Sequence, residues 1–229
     1  MTDDAEAAAW LKTWTRAHAV AMPAACAVAL AQRRAWPLVA IALLSNAALL
    51  ARSRGRFTPR GSFGAANAVT AIRLAAVLGA GLAPLATPGW MLAAALAAVW
   101  VLDGIDGWIA RRQGLASAFG DTFDKETDAL LILVADVQLW QRGRFGLWIL
   151  TTGLLRYAYV LALAIAPSPA GHVPRSRGAR LAFLALLAGL MAGFARTGTA
   201  GTALAALGTA AVSASFAHSF FWSYRRRQD

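Results

Sequence analysis

Apolar residues run along this chain in about eight blocks, near residues 17–32, 36–51, 65–86, 90–110, 121–140, 146–166, 180–196 and 199–222. No block shows the alternation of a half-buried strand, and alanine and leucine outnumber β-branched residues, so every block predicts a helix. A helix that crosses a bilayer needs about 20 residues. The first two blocks are short, which predicts a tight hairpin or a partly embedded pair. Pro84, Pro88, Pro167, Pro169 and Pro174 fall between blocks, as helix punctuation should. The expected fold is all-α, a polytopic transmembrane helical bundle.

Composition agrees with that pattern. Hydrophobic residues make up 59% of the 229, and mean hydropathy is +0.53, more apolar than the roughly 45–50% of a soluble domain. The net charge of +11 would suggest nucleic acid in a soluble chain. Here the arginines sit mainly between apolar blocks, with no basic stripe interleaved with aromatics, so membrane lipids are the expected partner and nucleic acid is not. A single cysteine, Cys26, excludes an intrachain disulfide. The start of the chain carries Asp3, Asp4 and Glu6 in place of the basic region of a cleaved signal peptide.

Charge also sets orientation. If all eight blocks span and the N-terminus is cytoplasmic, the inner side holds fifteen cations: Lys12, Arg16, Arg52, Arg54, Arg56, Arg60, Arg111, Arg112, Lys125, Arg175, Arg177, Arg180, Arg225, Arg226 and Arg227. The outer side holds five, Arg33, Arg34, Arg142, Arg144 and Arg196. The positive-inside rule favours this arrangement, which predicts an inner-membrane protein. The stretch 51–64 is basic, with Phe57 and Phe63 among its arginines. Two readings fit it: a segment lying along the headgroups, or a solvated linker with topology-setting charge.

Six of the eleven acidic residues fall within residues 103–128, directly after an apolar run. Carboxylates at membrane depth are costly unless they serve a function. Asp103 and Asp106 are three apart and Asp124 and Asp128 four apart, so each pair shares one helix face. The connection between them carries Gly114 and Ser117, and the chain can turn there to bring four carboxylates together. Two like charges about 5 Å apart repel by roughly 3 kcal/mol at an effective dielectric near 20, so four together require cations. Oxygen ligands without histidine or cysteine point to Mg²⁺ or Mn²⁺. Two ions fit four ligands and suit in-line displacement at phosphorus. Arg111, near Asp106, can pair with phosphate, and Gly107 and Gly120 leave room for a ligand or a neighbouring helix. Surface ion pairs with arginines account for one or two of the six acids, Asp121 or Glu126, but not for four at helix-facing spacing.

The run D-x2-D-G-x2-A-R-x8-G-x3-D-x3-D, filled at every position from Asp103 to Asp128, resembles the signature of the CDP-alcohol phosphatidyltransferases. The six blocks from about residue 65 onward resemble that family's six-helix core, and the first two lie outside it. The expected division is an N-terminal extension at 1–62, a six-helix catalytic membrane domain at 63–224 and a basic tail at 225–229.

The resemblance implies that a CDP-linked lipid donor, CDP-diacylglycerol, gives its phosphatidyl group to a polar alcohol or alcohol phosphate with release of CMP. It implies Asp103, Asp106, Asp124 and Asp128 as metal ligands and Asp128 as the general base. It further implies donor contacts from Asn67 and Thr70, within an Asn-x-x-Thr-x-x-Arg element ending at Arg73, and from Gly107, Arg111 and Ser117. On residue chemistry alone, Asn67 and Thr70 read equally as a helix start with a polar packing surface. Family members are commonly homodimers, and Gly79 and Gly81, Gly189 and Gly193, and Gly198 and Gly201 would permit close helix packing.

On the acceptor side, Arg175, Arg177 and Arg180 could hold an anionic alcohol by bidentate contacts, or could simply set topology. Arg156 lies inside an apolar block, and a buried guanidinium there needs an anionic partner. His172 reads as a loop histidine. No serine, cysteine or histidine accompanies the acids as a nucleophile should, so the expected mechanism is direct in-line attack by the acceptor hydroxyl. A cation transporter would spread its acids along the bilayer, often on broken helices, and clustering at one end disfavours it. The intact acids argue against a non-catalytic scaffold. A CDP-choline or CDP-ethanolamine donor with a lipid-alcohol acceptor keeps the same chemistry and stays open.

Overall fold

The computed structural model of the protein describes residues 2–113, 115–166, 177–196 and 198–225. Eight α-helices account for nearly all of them: α1 (Thr2–Gln32), α2 (Trp36–Arg52), α3 (Gly64–Leu82), α4 (Gly89–Gln113), α5 (Ala118–Gln141), α6 (Leu150–Ile165), α7 (Arg177–Ala195) and α8 (Gly198–Arg225). A short 3₁₀ turn, Leu147–Ile149, leads into α6. Among the described residues there is no strand.

Seven helices start within about four residues of the starts of their apolar blocks. α1 does not: it begins some 15 residues earlier than hydropathy predicts. Its first half is polar but alanine-rich, a composition that favours a helix. Helicity there follows propensity, while the apolar pattern marks only the buried half.

Among the described residues, four stretches are long and apolar enough to cross a membrane: Gly64–Leu82, Leu147–Ile165, Gly178–Ala195 and Gly198–Phe221. Of the eight apolar blocks, four meet this measure among the described residues. α2 and the apolar part of α4 are shorter. α5 carries Asp121, Asp124, Lys125, Glu126 and Asp128 in its first half, which lowers its hydropathy although it is the most enclosed helix of the bundle. Only 22% to 39% of each spanning window is buried within the protein. That much outward apolar surface would be a liability in water and is ordinary against lipid.

α5 sits at the centre, packed against α1, α3, α6 and α7. From Ala129 to Leu139 every one of its residues is buried. α3 packs on both α4 and α5, and α7 and α8 form the tightest pair. A Cβ at Gly189 would lie 2.4 Å from Ala205 Cα, and one at Gly208 equally close to Leu186 Cα. Small residues thus let these two backbones meet, although the contact lies within one chain.

The N-terminal pair is woven into the bundle. α1 packs on α2, α5 and α6, and α2 packs on α3. Trp14 donates its indole N–H to Ser45 O at 2.9 Å, and His18 Nδ1 lies 2.7 Å from Ser45 Oγ. His18 in turn meets the Tyr157 ring of α6 at 5.9 Å.

Candidate active site

Three helices meet at one end of the bundle, and each brings charge. α4 presents Asp103, α5 presents Asp124 and Asp128 one turn apart, and α3 presents Arg73. Oxygens of the three carboxylates lie within 4.8 Å of one another. Arg73 is fully buried beneath them. It donates from Nη1 to Asp124 Oδ1 at 2.6 Å, and from Nη2 to Asp128 Oδ1, with Asp103 Oδ1 3.1 Å from the same nitrogen.

The acids are half-exposed, at 37% to 38% of their side-chain surface, and the guanidinium is not exposed at all. The cluster thus opens outward, with the arginine as its floor. Three carboxylates against one guanidinium leave two negative charges within a few ångströms. At an effective dielectric near 20 each close pair costs about 3 kcal/mol, and a divalent cation on the open side would offset that. The donor set, oxygen only, fits a hard cation such as Mg²⁺.

A cleft of about 210 Å³ adjoins the cluster and shares Asp124 with it. Its wall includes Thr58, Phe63, Asn67, Thr70 and Ser117. Asn67 spends both N–H bonds behind the wall, on Phe63 O at 2.7 Å and Phe57 O at 3.3 Å, which leaves its oxygen for the cleft. Ser117 is the N-cap of α5: its Oγ accepts from Gly120 N at 3.0 Å and donates to Phe57 O at 2.6 Å. Thr70 donates to Ala66 O at 3.2 Å. A Cβ on Gly120 would stand 3.0 Å from Asn67 Oδ1, so this glycine lets α3 and α5 approach beside the cleft.

These geometries bring together Asp103, Asp124, Asp128, Asn67, Thr70 and Ser117 at one end of the bundle. The side chains of Asp106, Gly107 and Arg111 lie outside those described, although their backbone continues α4 from Asp103. Arg175 and His172 lie outside the described residues, and Arg177 is described by its backbone only. Arg180 is exposed on the first turn of α7.

Arg156 meets an anionic partner. Its Nη2 donates to Glu126 Oε1 at 2.6 Å, and Glu126 is almost fully buried, at 2% exposure. Asp121 pairs with Lys125 one turn on, at 2.6 Å. Asp121 and Glu126, the two acids set apart from the signature, each pair with one cation outside the cluster, a lysine for Asp121 and an arginine for Glu126.

The stretch between α2 and α3 packs onto the bundle. Its arginines at 54 and 60 face outward, while Phe57 and Phe63 turn inward onto Phe119 of α5. Spacing within the chain gives no hint of that inward turn.

A family model of CDP-alcohol phosphatidyltransferases matches residues 63–217, a span that holds the triad, Arg73 and most of the cleft. The chain belongs to the CDP-alcohol phosphatidyltransferase family. Neither a curated protein nor a solved structure matched it. Family membership, with four helices apolar and long enough to cross a bilayer, makes this an integral membrane protein and a transferase of phosphate-containing groups. It assigns the chain to phosphatidyl transfer in phospholipid synthesis, from a CDP-alcohol donor to an alcohol acceptor.

Proposed function

We propose that this phosphatidyltransferase moves the phosphatidyl group of CDP-diacylglycerol to the hydroxyl of a polar alcohol or alcohol phosphate, releasing CMP. The observation that carries the reading is the convergence of Asp103, Asp124 and Asp128 beside a cleft lined by Asn67, Thr70 and Ser117. Asp103, Asp106, Asp124 and Asp128 would hold Mg²⁺ or Mn²⁺, two ions in all, whose charge would offset the anionic oxygens of donor and leaving group. Asn67, Thr70, Gly107, Arg111 and Ser117 bind the cytidine diphosphate part of the donor.

The acceptor oxygen attacks the phosphorus attached to diacylglycerol. A new P–O bond forms in line with the bond that breaks, CMP leaves with that bond's electron pair, and the hydroxyl proton passes to Asp128. Arg73 donates to Asp128 and favours its charged form, and a cation held by the acids would add to that. No covalent enzyme intermediate forms.

An anionic acceptor is held by Arg156, whose guanidinium has donors left beyond its bond to Glu126, together with Arg175, Arg177 and Arg180. Residues 63–224 carry the chemistry, with residues 1–62 as an N-terminal extension and a basic tail from 225. The protein works as a homodimer in the inner membrane, with its cleft toward the cytoplasm.

The test is CMP release from radiolabelled CDP-diacylglycerol by purified protein with Mg²⁺ and a panel of polar alcohols. Wild type should release CMP and form a new lipid with one of them. Asp128→Asn should lose activity by about 10²-fold or more while still reaching the membrane folded. Full activity in that variant would remove Asp128 as the base, and no CMP release with any donor would remove the reaction.

A further inference from the structure

The family match begins at residue 63, yet the stretch just before it is built into the cleft. One backbone oxygen, that of Phe57, accepts from Ser117 at 2.6 Å and from Asn67 at 3.3 Å. Those donors stand on the first turn of α3 and at the N-cap of α5, and both line the cleft. The Phe57 ring adds edge contacts to Phe63 and Phe119, each at 5.0 Å between centroids.

The stretch has a shape of its own. Arg56 N donates to Ser53 O at 3.0 Å, Gly61 N to Thr58 O at 2.8 Å, and Thr58 Oγ1 to Ser62 O at 2.7 Å. Gly55 and Gly61 both hold φ at +77°, where residues with a side chain are strained. A Cβ on Gly61 would also stand 3.0 Å from Gly55 O, whereas Gly55 faces open space. At its upstream end the loop is tied to α1, because Arg52 pairs with Glu6 at 3.0 Å and lies over the Trp10 ring.

We propose that residues 53–63 form a positioning strap for the donor site. The strap sets the spacing between the starts of α3 and α5 through the Phe57 carbonyl, and so sets the affinity for the cytidine nucleotide. Its contacts reach Asn67 and Ser117. The strap acts on nucleotide binding through those two residues: a cleft whose walls must be ordered on binding holds its ligand more weakly than a preformed one. This inference rests on the cytidine-donor reading of the cleft.

Three variants of the full chain act on the strap through its backbone and touch no ligand. Asparagine tolerates a left-handed φ better than alanine, so the effect should rise in the order Gly55→Asn, Gly55→Ala, Gly61→Ala. CMP titrated calorimetrically with Mg²⁺ should bind Gly61→Ala about tenfold more weakly than wild type. The KM for CDP-diacylglycerol should rise in parallel while kcat stays within about twofold. Amide exchange at Gly120, whose N–H is held by Ser117, should quicken in the same order.

Unchanged CMP affinity and unchanged Gly120 exchange in Gly61→Ala would overturn the strap, as would a fall in kcat at constant KM. If Gly61→Ala does not fold, the two Gly55 variants carry the same comparison. If wild type itself neither binds nor releases CMP, the donor reading falls. Gly120 exchange then decides alone whether the loop holds the two helix starts, and no change in it sinks the inference.

Discussion

At the scale of single residues, Arg73 bears the largest consequence. It lies buried under three carboxylates from two other helices, and Arg73→Ala would leave them facing one another across a gap. Removing one member of a buried ion pair costs about 3–5 kcal/mol, and the half-exposed acids place this case toward the low end. The variant should therefore melt well below wild type in EDTA. Mg²⁺ should then raise its melting temperature by more than it raises that of wild type, because a cation bound to the folded state has more repulsion to offset. Arg73→Lys keeps the charge but not the fork and should fall between. Equal protection by Mg²⁺ in all three proteins would show that Arg73 and the cation do not share the cluster. The carboxylates themselves were legible beforehand, because spacings of three and four residues are a local property of a helix. Their shared cation was not. Arg73 stands 51 residues before Asp124 and 55 before Asp128, and only the packing of α3 against α5 brings it there. Glu126 shows the same limit, since its partner Arg156 is 30 residues away on α6.

Among the elements, α5 explains most of the architecture. Its first turns carry the acids, its middle is the core, and its last turns close the far end of the bundle. There Gln138 donates to the carbonyls of Ala80 and Gly81 at 3.0 Å and of Ala83 at 3.2 Å, supplying donors to the open end of α3. Arg142 reaches Pro84, Leu85 and Thr87 in the following loop, each at 2.9 Å. Gln138→Leu keeps the bulk and removes those donors. It should cost about 1–3 kcal/mol of stability, read as a lower melting temperature in detergent, with CMP release per folded molecule unchanged. A variant that melts like wild type would mean that the α3 end finds other partners. Hydropathy located the core of α5 but not this role, because a glutamine in an apolar block reads only as an interruption. Hydropathy likewise missed the first half of α1, where helicity comes from alanine and the buried surface begins later. Element existence was readable from period and length, while joints between elements depend on partners far apart in sequence.

For the molecule as a whole, the distribution of charge makes a prediction about topology. The end that holds the acid cluster also holds Arg52 at the close of α2 and the strap with Arg54, Arg56 and Arg60, and Arg112 lies near the end of α4. The opposite end has Arg33 and Arg34 in the α1–α2 turn, Arg142 and Arg144 after α5, and Arg196 after α7. The positive-inside rule then directs the acid cluster to the cytoplasm. Cys26 is the sole cysteine and is buried, so Cys26→Ala yields a background free of thiols at small cost. Single cysteines at Arg54 and at Arg144 then report the two ends. In intact cells a membrane-impermeant maleimide should label Arg144→Cys, and it should label Arg54→Cys only after the membrane is opened. The reverse pattern would turn the cleft away from the compartment that supplies a charged, water-soluble nucleotide. It would overturn the orientation while leaving the assignment of the acids intact, because that assignment depends on distances inside the bundle and not on which face looks inward.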